Sequence, residues 1–137
     1  VPSGMHAVYI DAKKMLPNIA PSYLPGQRLV CELYIECGLR SCEIGTAMFG
    51  RTRADGSQEP ARQELVRLAL PRRVYGQSHY DYVIEACQLV QERSQSLTGM
   101  TIVSEPPLLR HFTAKFAPLN ATRQSEGNVE RVESACR

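Results

Sequence analysis

Apolar and polar positions alternate in short extended stretches, interrupted by two longer stretches of helical periodicity. His6 to Ile10 has the apolar and aromatic character of a strand. Asp11 follows with a side chain suited to cap a short helix running through Leu16. Pro17, Pro21, Pro25 and Gly26 make residues 17–26 a loop. From Gln27 to Cys37, Val30, Leu33, Tyr34 and Cys37 fall at helical spacing, and Gly38 supplies a stop. Arg40 to Phe49 reads as extended, two strand segments broken near Gly45. The polar run 51–62, with Asp55-Gly56 at its centre, is a turn or loop between strands. Leu65 to Leu70 alternates and Pro71 ends it. Ser78 and Asp81 form a start resembling a capping box for the longest helix, whose buried stripe is Val83, Ala86, Cys87 and Val90. Gly99 to Ser104 is a strand, Glu105-Pro106-Pro107 a sharp turn, and Leu109 to Phe116 a final strand. Beyond Pro118 the chain turns polar, so residues 120–137 read as a mobile tail with a helical hint near 128–135. The pattern predicts an α+β domain, a mostly antiparallel sheet with helices packed on one face, without internal repeats.

Composition narrows this without redirecting it. The chain has 137 residues, of which 43% are hydrophobic and 22% charged, enough for one domain with a real core. A net charge of +2 demands neither a polyanion nor a membrane surface as partner. Thirteen arginines and three lysines are dispersed rather than clustered, which weakens a nucleic-acid reading. The five cysteines are odd in number and contain no C-x-x-C pair, against a disulfide framework or a zinc ribbon. A reducing, cytoplasmic setting fits them. No apolar run approaches the roughly eighteen residues of a membrane span. Val1-Pro2 leads almost directly into the first strand, and the chain reads as a piece of something longer.

Candidate chemistry is sparse. No G-x-G-x-x-G, P-loop, H-E-x-x-H or G-x-S-x-G string occurs. His6, His79 and His111 lie far apart, with no carboxylate or second histidine at metal-ligand spacing. His79 follows a helix start and is expected to act structurally there. His111 belongs to the dense string LLRHFTAKF. The acidic residues are scattered, and no pair is placed for acid–base work. Arg67 is the anomaly, a guanidinium inside an apolar strand. It either lies on a wet face or snorkels to water, or it awaits an anion such as a ligand carboxylate.

The wording of the chain adds to this. GLRSCEIG, LVRLALPRRVYGQSHYDYV and GMTIVSEPPLLRHFTAKF, in that order, resemble the C-terminal part of the tryptophanase family, together with the opening GMHAVYIDA. These β-eliminating lyases, with the sister tyrosine phenol-lyases, use pyridoxal 5′-phosphate (PLP). The resemblance runs from about Ser3 through Leu119. It implies the small domain of a fold-type I PLP-dependent transferase over 1–119, with a large PLP-binding domain, a potassium ion and a homotetramer supplied by the full-length enzyme. It further implies that Arg67 forks onto the carboxylate of L-tryptophan, and that Ile44, His111 and Phe112 shape the indole end of the pocket. Ile44 stands where the phenol-lyase carries arginine, and His111 where it carries phenylalanine, so both choices point to tryptophan. Cys42 and Gly76 depart from the family's Val and Thr. The cofactor-bearing lysine and the phosphate-, ring- and potassium-binding segments have no counterpart here, and Lys13, Lys14 and Lys115 lie outside the lysine's context. The competing expectation is a stand-alone, non-catalytic binding module derived from the same domain.

Overall fold

The structure, a computed structural model, describes residues 6–71 and 73–119. The first strand, β1 (Ala7–Asp11), runs into a single helical turn, α1 (Ala12–Met15). Asp11 caps it, its carboxylate accepting the N–H groups of Lys13 at 3.1 Å and Lys14 at 3.3 Å. A short 3-10 turn at Pro21–Tyr23 then leads into α2 (Pro25–Cys37). This helix begins two residues before the expected Gln27, because the fixed φ of proline suits the first helical position. It ends as expected at Gly38, whose φ of +63° lets its N–H reach Tyr34 O at 2.9 Å while Leu39 N–H reaches Leu33 O at 3.0 Å. The buried face is turned from the expected one. Leu29 and Leu33 are buried, whereas Tyr34 is 53% exposed and lies under the Arg40 guanidinium.

The stretch 40–49 corrects the two-strand expectation. Only β2 (Cys42–Ile44) is extended, and Thr46–Phe49 coils into the turn α3. The reason lies in the first-turn N–H groups, which buried carboxylates capture. Thr46 N–H donates to Glu64, and Ala47 and Met48 N–H donate to Glu43. The hairpin β3 (Arg51–Thr52) and β4 (Gln58–Glu59) follows, turned by Gly56 at φ +82°. The alternating segment forms β5 (Leu65–Ala69) as expected.

The longest helix, α4 (Gln77–Glu92), is capped by Gly76 rather than opened by Ser78. His79 Nδ1 accepts the Gly76 N–H at 3.2 Å, and its ring stacks on Tyr75, so His79 does act structurally. Asp81 instead accepts from the Gln77 amide. After it come β6 (Met100–Ser104), the turn α5 (Arg110–Thr113) and β7 (Lys115–Pro118). The expected final strand 109–116 is therefore half helical. Leu109, at φ +56°, bends the chain, and its carbonyl accepts the N–H groups of Phe112 and Thr113 and the Thr113 hydroxyl. The expectations for 120–137 lie outside the described residues.

Among the described residues all strand pairs are antiparallel, but they form three small sheets: β1-β5-β2, β3-β4 and β6-β7. In the first, Ile10 pairs with Val66 and both face α2 and α4. The main core joins them to Leu16, Ile19, Leu29, Leu33, Val90 and Leu97. A second core of Leu24, Ala47 and Met100, with Phe116 against it, ties α3 to the β6-β7 hairpin. The described part is thus a small α+β domain with helices on one face of its three-stranded sheet.

Candidate functional site

Alternation along β5 decides where Arg67 points. Val66 and Leu68 are buried toward the helices, so Arg67 between them belongs to the opposite face. It lies in the middle strand, paired with Tyr9 on β1 and Cys42 on β2, both exposed. Arg67 is half-buried, and among the described residues no ion pair engages it. Ile44 pairs with Leu65, two residues before Arg67, and so falls on the same face. The sheet brings these two expected site residues together.

His111 and Phe112 are carried separately, on α5. Both are exposed, Phe112 at 76%, and their rings contact each other with centroids 3.9 Å apart. Their neighbour Arg110 ties this turn to its surroundings. Its Nη1 donates to the Gly50 carbonyl at 3.0 Å, its Nη2 donates to Gln58 Oε1, and Glu105 lies at 3.5 Å. One half-buried guanidinium thus fastens α5 to the end of α3 and to the β3-β4 hairpin.

The acidic pair Glu43 and Glu64 was not visible as a pair in the sequence. Both are buried, and burial pushes both carboxyls above the ordinary glutamate range, with the Glu43 charge adding to the rise at Glu64. A signal did exist. Alternation through Glu64, Val66 and Leu68 places Glu64 on the helix-facing side, and Glu43 pairs with Val66 on that same side.

The four cysteines of the described residues are free, and burial raises the thiols of Cys31 and Cys87, which keeps them neutral core groups. Lys13 donates its Nζ to the Arg62 carbonyl, while Lys14 and Lys115 are exposed. Among the described residues no helix is long and apolar enough to cross a membrane.

Fold and site together define a small α+β domain that presents a guanidinium, unpaired among the described residues, on the face of its sheet away from the helices. No protein-family model matches the chain. Curated relatives do. It is 54% identical to the tryptophanase of Hyphomonas neptunium over 118 residues, which is 86% of this chain and 26% of that protein. It is 54% identical to the tryptophanase of Salinibacter ruber over 132 residues, 94% of this chain and 28% of the relative. With the tryptophanase of Escherichia coli O157:H7 the identity is 46% over 113 residues, 82% and 24%. The chain belongs to the tryptophanase family and spans about a quarter of the length of these relatives, an extent consistent with a C-terminal small domain. The Salinibacter match is long enough to enter the residues after Leu119.

Proposed function

We propose that the chain is the C-terminal small domain, of fold type I, in a PLP-dependent tryptophan indole-lyase. The full-length enzyme would convert L-tryptophan and water to indole, pyruvate and ammonia. PLP and a potassium ion would be held by the large domain, within a homotetramer; when bound, PLP supplies the electron sink for breaking bonds at the amino acid's α-carbon.

The residues here bind and orient. Arg67 offers a forked donor to the substrate carboxylate, and a bidentate pair fixes the plane of the amino acid. Ile44, on the same sheet face, gives a flat indole an apolar neighbour, and His111 and Phe112 line its far end. The observation that carries this reading is Arg67 itself, held in the central strand without an anionic partner among the described residues. Within the full-length enzyme, Arg67→Ala should raise KM for tryptophan and lower kcat/KM by about 2–4 kcal/mol of transition-state binding. Steady-state kinetics showing less than roughly a threefold loss would remove Arg67 from the site.

A further inference from the structure

Glu43, on β2, is 6% exposed, and Glu64, one residue before β5, is 1% exposed. Glu64 Oε1 accepts the Thr46 N–H at 3.0 Å and also the Thr46 hydroxyl. Glu43 accepts Ala47 N–H at Oε1, 3.0 Å, and Met48 N–H at Oε2, 2.9 Å. A Cβ placed on Gly45 would lie 2.6 Å from Glu64 Oε2 and 2.7 Å from Glu43 Oε1. The same two oxygens are 3.2 and 3.3 Å from the equivalent point on Gly26. One oxygen of each carboxylate therefore borders the notch left by two glycines. Glu64 Oε2 has no partner in full hydrogen-bond geometry, the Gly26 amide being the backbone donor turned toward this carboxylate. The charged groups facing the pair are few. Arg110 on α5 acts on Glu43 from a distance, α2 presents the Gly26 amide to Glu64, and each glutamate faces the other. No ion pair to either carboxylate forms among the described residues. Two full negative charges cannot stay desolvated side by side without a cation between them.

We propose that Glu43 and Glu64 share one proton, Glu64 Oε2 donating to Glu43 Oε1, and that the pair is a positioning device holding the β2–α3 junction beside Ile44 and Arg67. Protonation turns Glu64 Oε2 from an acceptor without a partner into a donor, and leaves Glu43 free to accept from Ala47 and Met48. The positioning of Ile44 and Arg67 for substrate rests on the tryptophanase reading, whereas the sharing of the proton does not.

The sign of the pH dependence follows. Both carboxyls titrate at higher pH folded than unfolded, so their stabilisation is full below the ordinary glutamate range and is lost as pH rises through the raised values.

The test follows the amide resonances of Thr46, Ala47 and Met48 with pH in the 137-residue chain, with stability measured by denaturant, for wild type, Glu64→Gln and Glu43→Gln. In wild type the three amides should move together, with an apparent midpoint above the usual value of about 4.3. The unfolding constant should rise with pH by up to roughly tenfold per pH unit, the limit for one proton. In Glu64→Gln the carboxamide replaces the acid as donor, so the amides' midpoint should fall and the slope should flatten. Amides titrating independently in the ordinary range, or a slope unchanged in the glutamine variants, overturn the proposal. If a variant does not fold, the wild-type titration decides. In the full-length enzyme, Glu64→Gln should also shift the pH profile of kcat/KM, and an unshifted profile overturns the positioning role. Failure of the wild-type enzyme to release indole would instead defeat the tryptophanase reading and leave the shared proton standing.

Discussion

A guanidinium in an apolar strand invites two readings, and the register of β5 separates them in part. Arg67 lies on the face away from the helices, so it is not an intruder in the core, and its row neighbour Ile44 gives that face an apolar patch. Arg67 was legible because it is the one charge in the apolar run Leu65–Leu70. Glu43 and Glu64 were not read as a pair, because their proximity depends on which residue of β2 lies opposite Val66, a tertiary fact. Residue-level selectivity follows from the division of labour. In the function proposed, Arg67 would address the amino-acid end common to all substrates, whereas Ile44 and His111 would address the leaving group. The pair of changes Ile44→Arg and His111→Phe in the full-length enzyme should therefore cut kcat/KM for tryptophan by roughly tenfold or more beyond its effect on S-alkyl cysteine. Equal losses on the two substrates, compared in parallel assays, would mean that these side chains serve the fold.

At the scale of elements, the strands β1, β5 and β6 and the helices α2 and α4 keep the bounds their sequence predicts within a residue or two, although α2 buries a different face. The turns α3 and α5 do not, and for one reason. Each is four residues long, too short for periodicity to mark, and each is held by groups outside itself. In α3 these are the two buried carboxylates, and in α5 the Arg110 contacts to Gly50 and Gln58. The close approach at Gly50 tests this. A Cβ there would sit 2.5 Å from the Thr46 carbonyl and 2.8 Å from the Glu59 carbonyl, both backbone atoms with little room to move. Gly50→Ala should cost about 1–3 kcal/mol by overpacking and weaken the hold of α5. Gly76→Ala, where a Cβ meets open space at φ −90°, should stay within about 0.5 kcal/mol. Chemical denaturation of both variants gives the comparison, and a cost at Gly50 no larger than at Gly76 would show that α3 can shift freely.

For the molecule as a whole, three quarters of the length of its relatives has no counterpart in the chain. An apolar groove of about 440 Å³ runs between β1, β5 and α4, lined by Val8, Ile10, Leu68, Val83 and Ile84 among others. Exposed apolar surface of this kind binds hydrophobic dyes and favours weak self-association. The isolated chain should nonetheless fold, since its main core is contributed by α1, α2, α4 and β5 together. It should be catalytically inert, because covalent PLP chemistry needs an activated lysine in a pocket that also grips the phosphate. Incubation with PLP followed by borohydride should leave no lysine stoichiometrically labelled in the mass spectrum, and no indole should form from tryptophan. One specifically labelled lysine with indole release would overturn the division of the site between two domains.

The central place of β5 has a consequence for how this segment tolerates change over generations. Because it is hydrogen-bonded on both sides, a shift of one residue would turn Arg67 toward the helices and Val66 outward. A single insertion or deletion that shifts the register of β5 (Leu65–Ala69) therefore cannot disturb one surface of the sheet alone. Length drift in this region should accumulate in the β3-β4 tip around Asp55-Gly56, where the chain is exposed and nothing downstream must keep step with it.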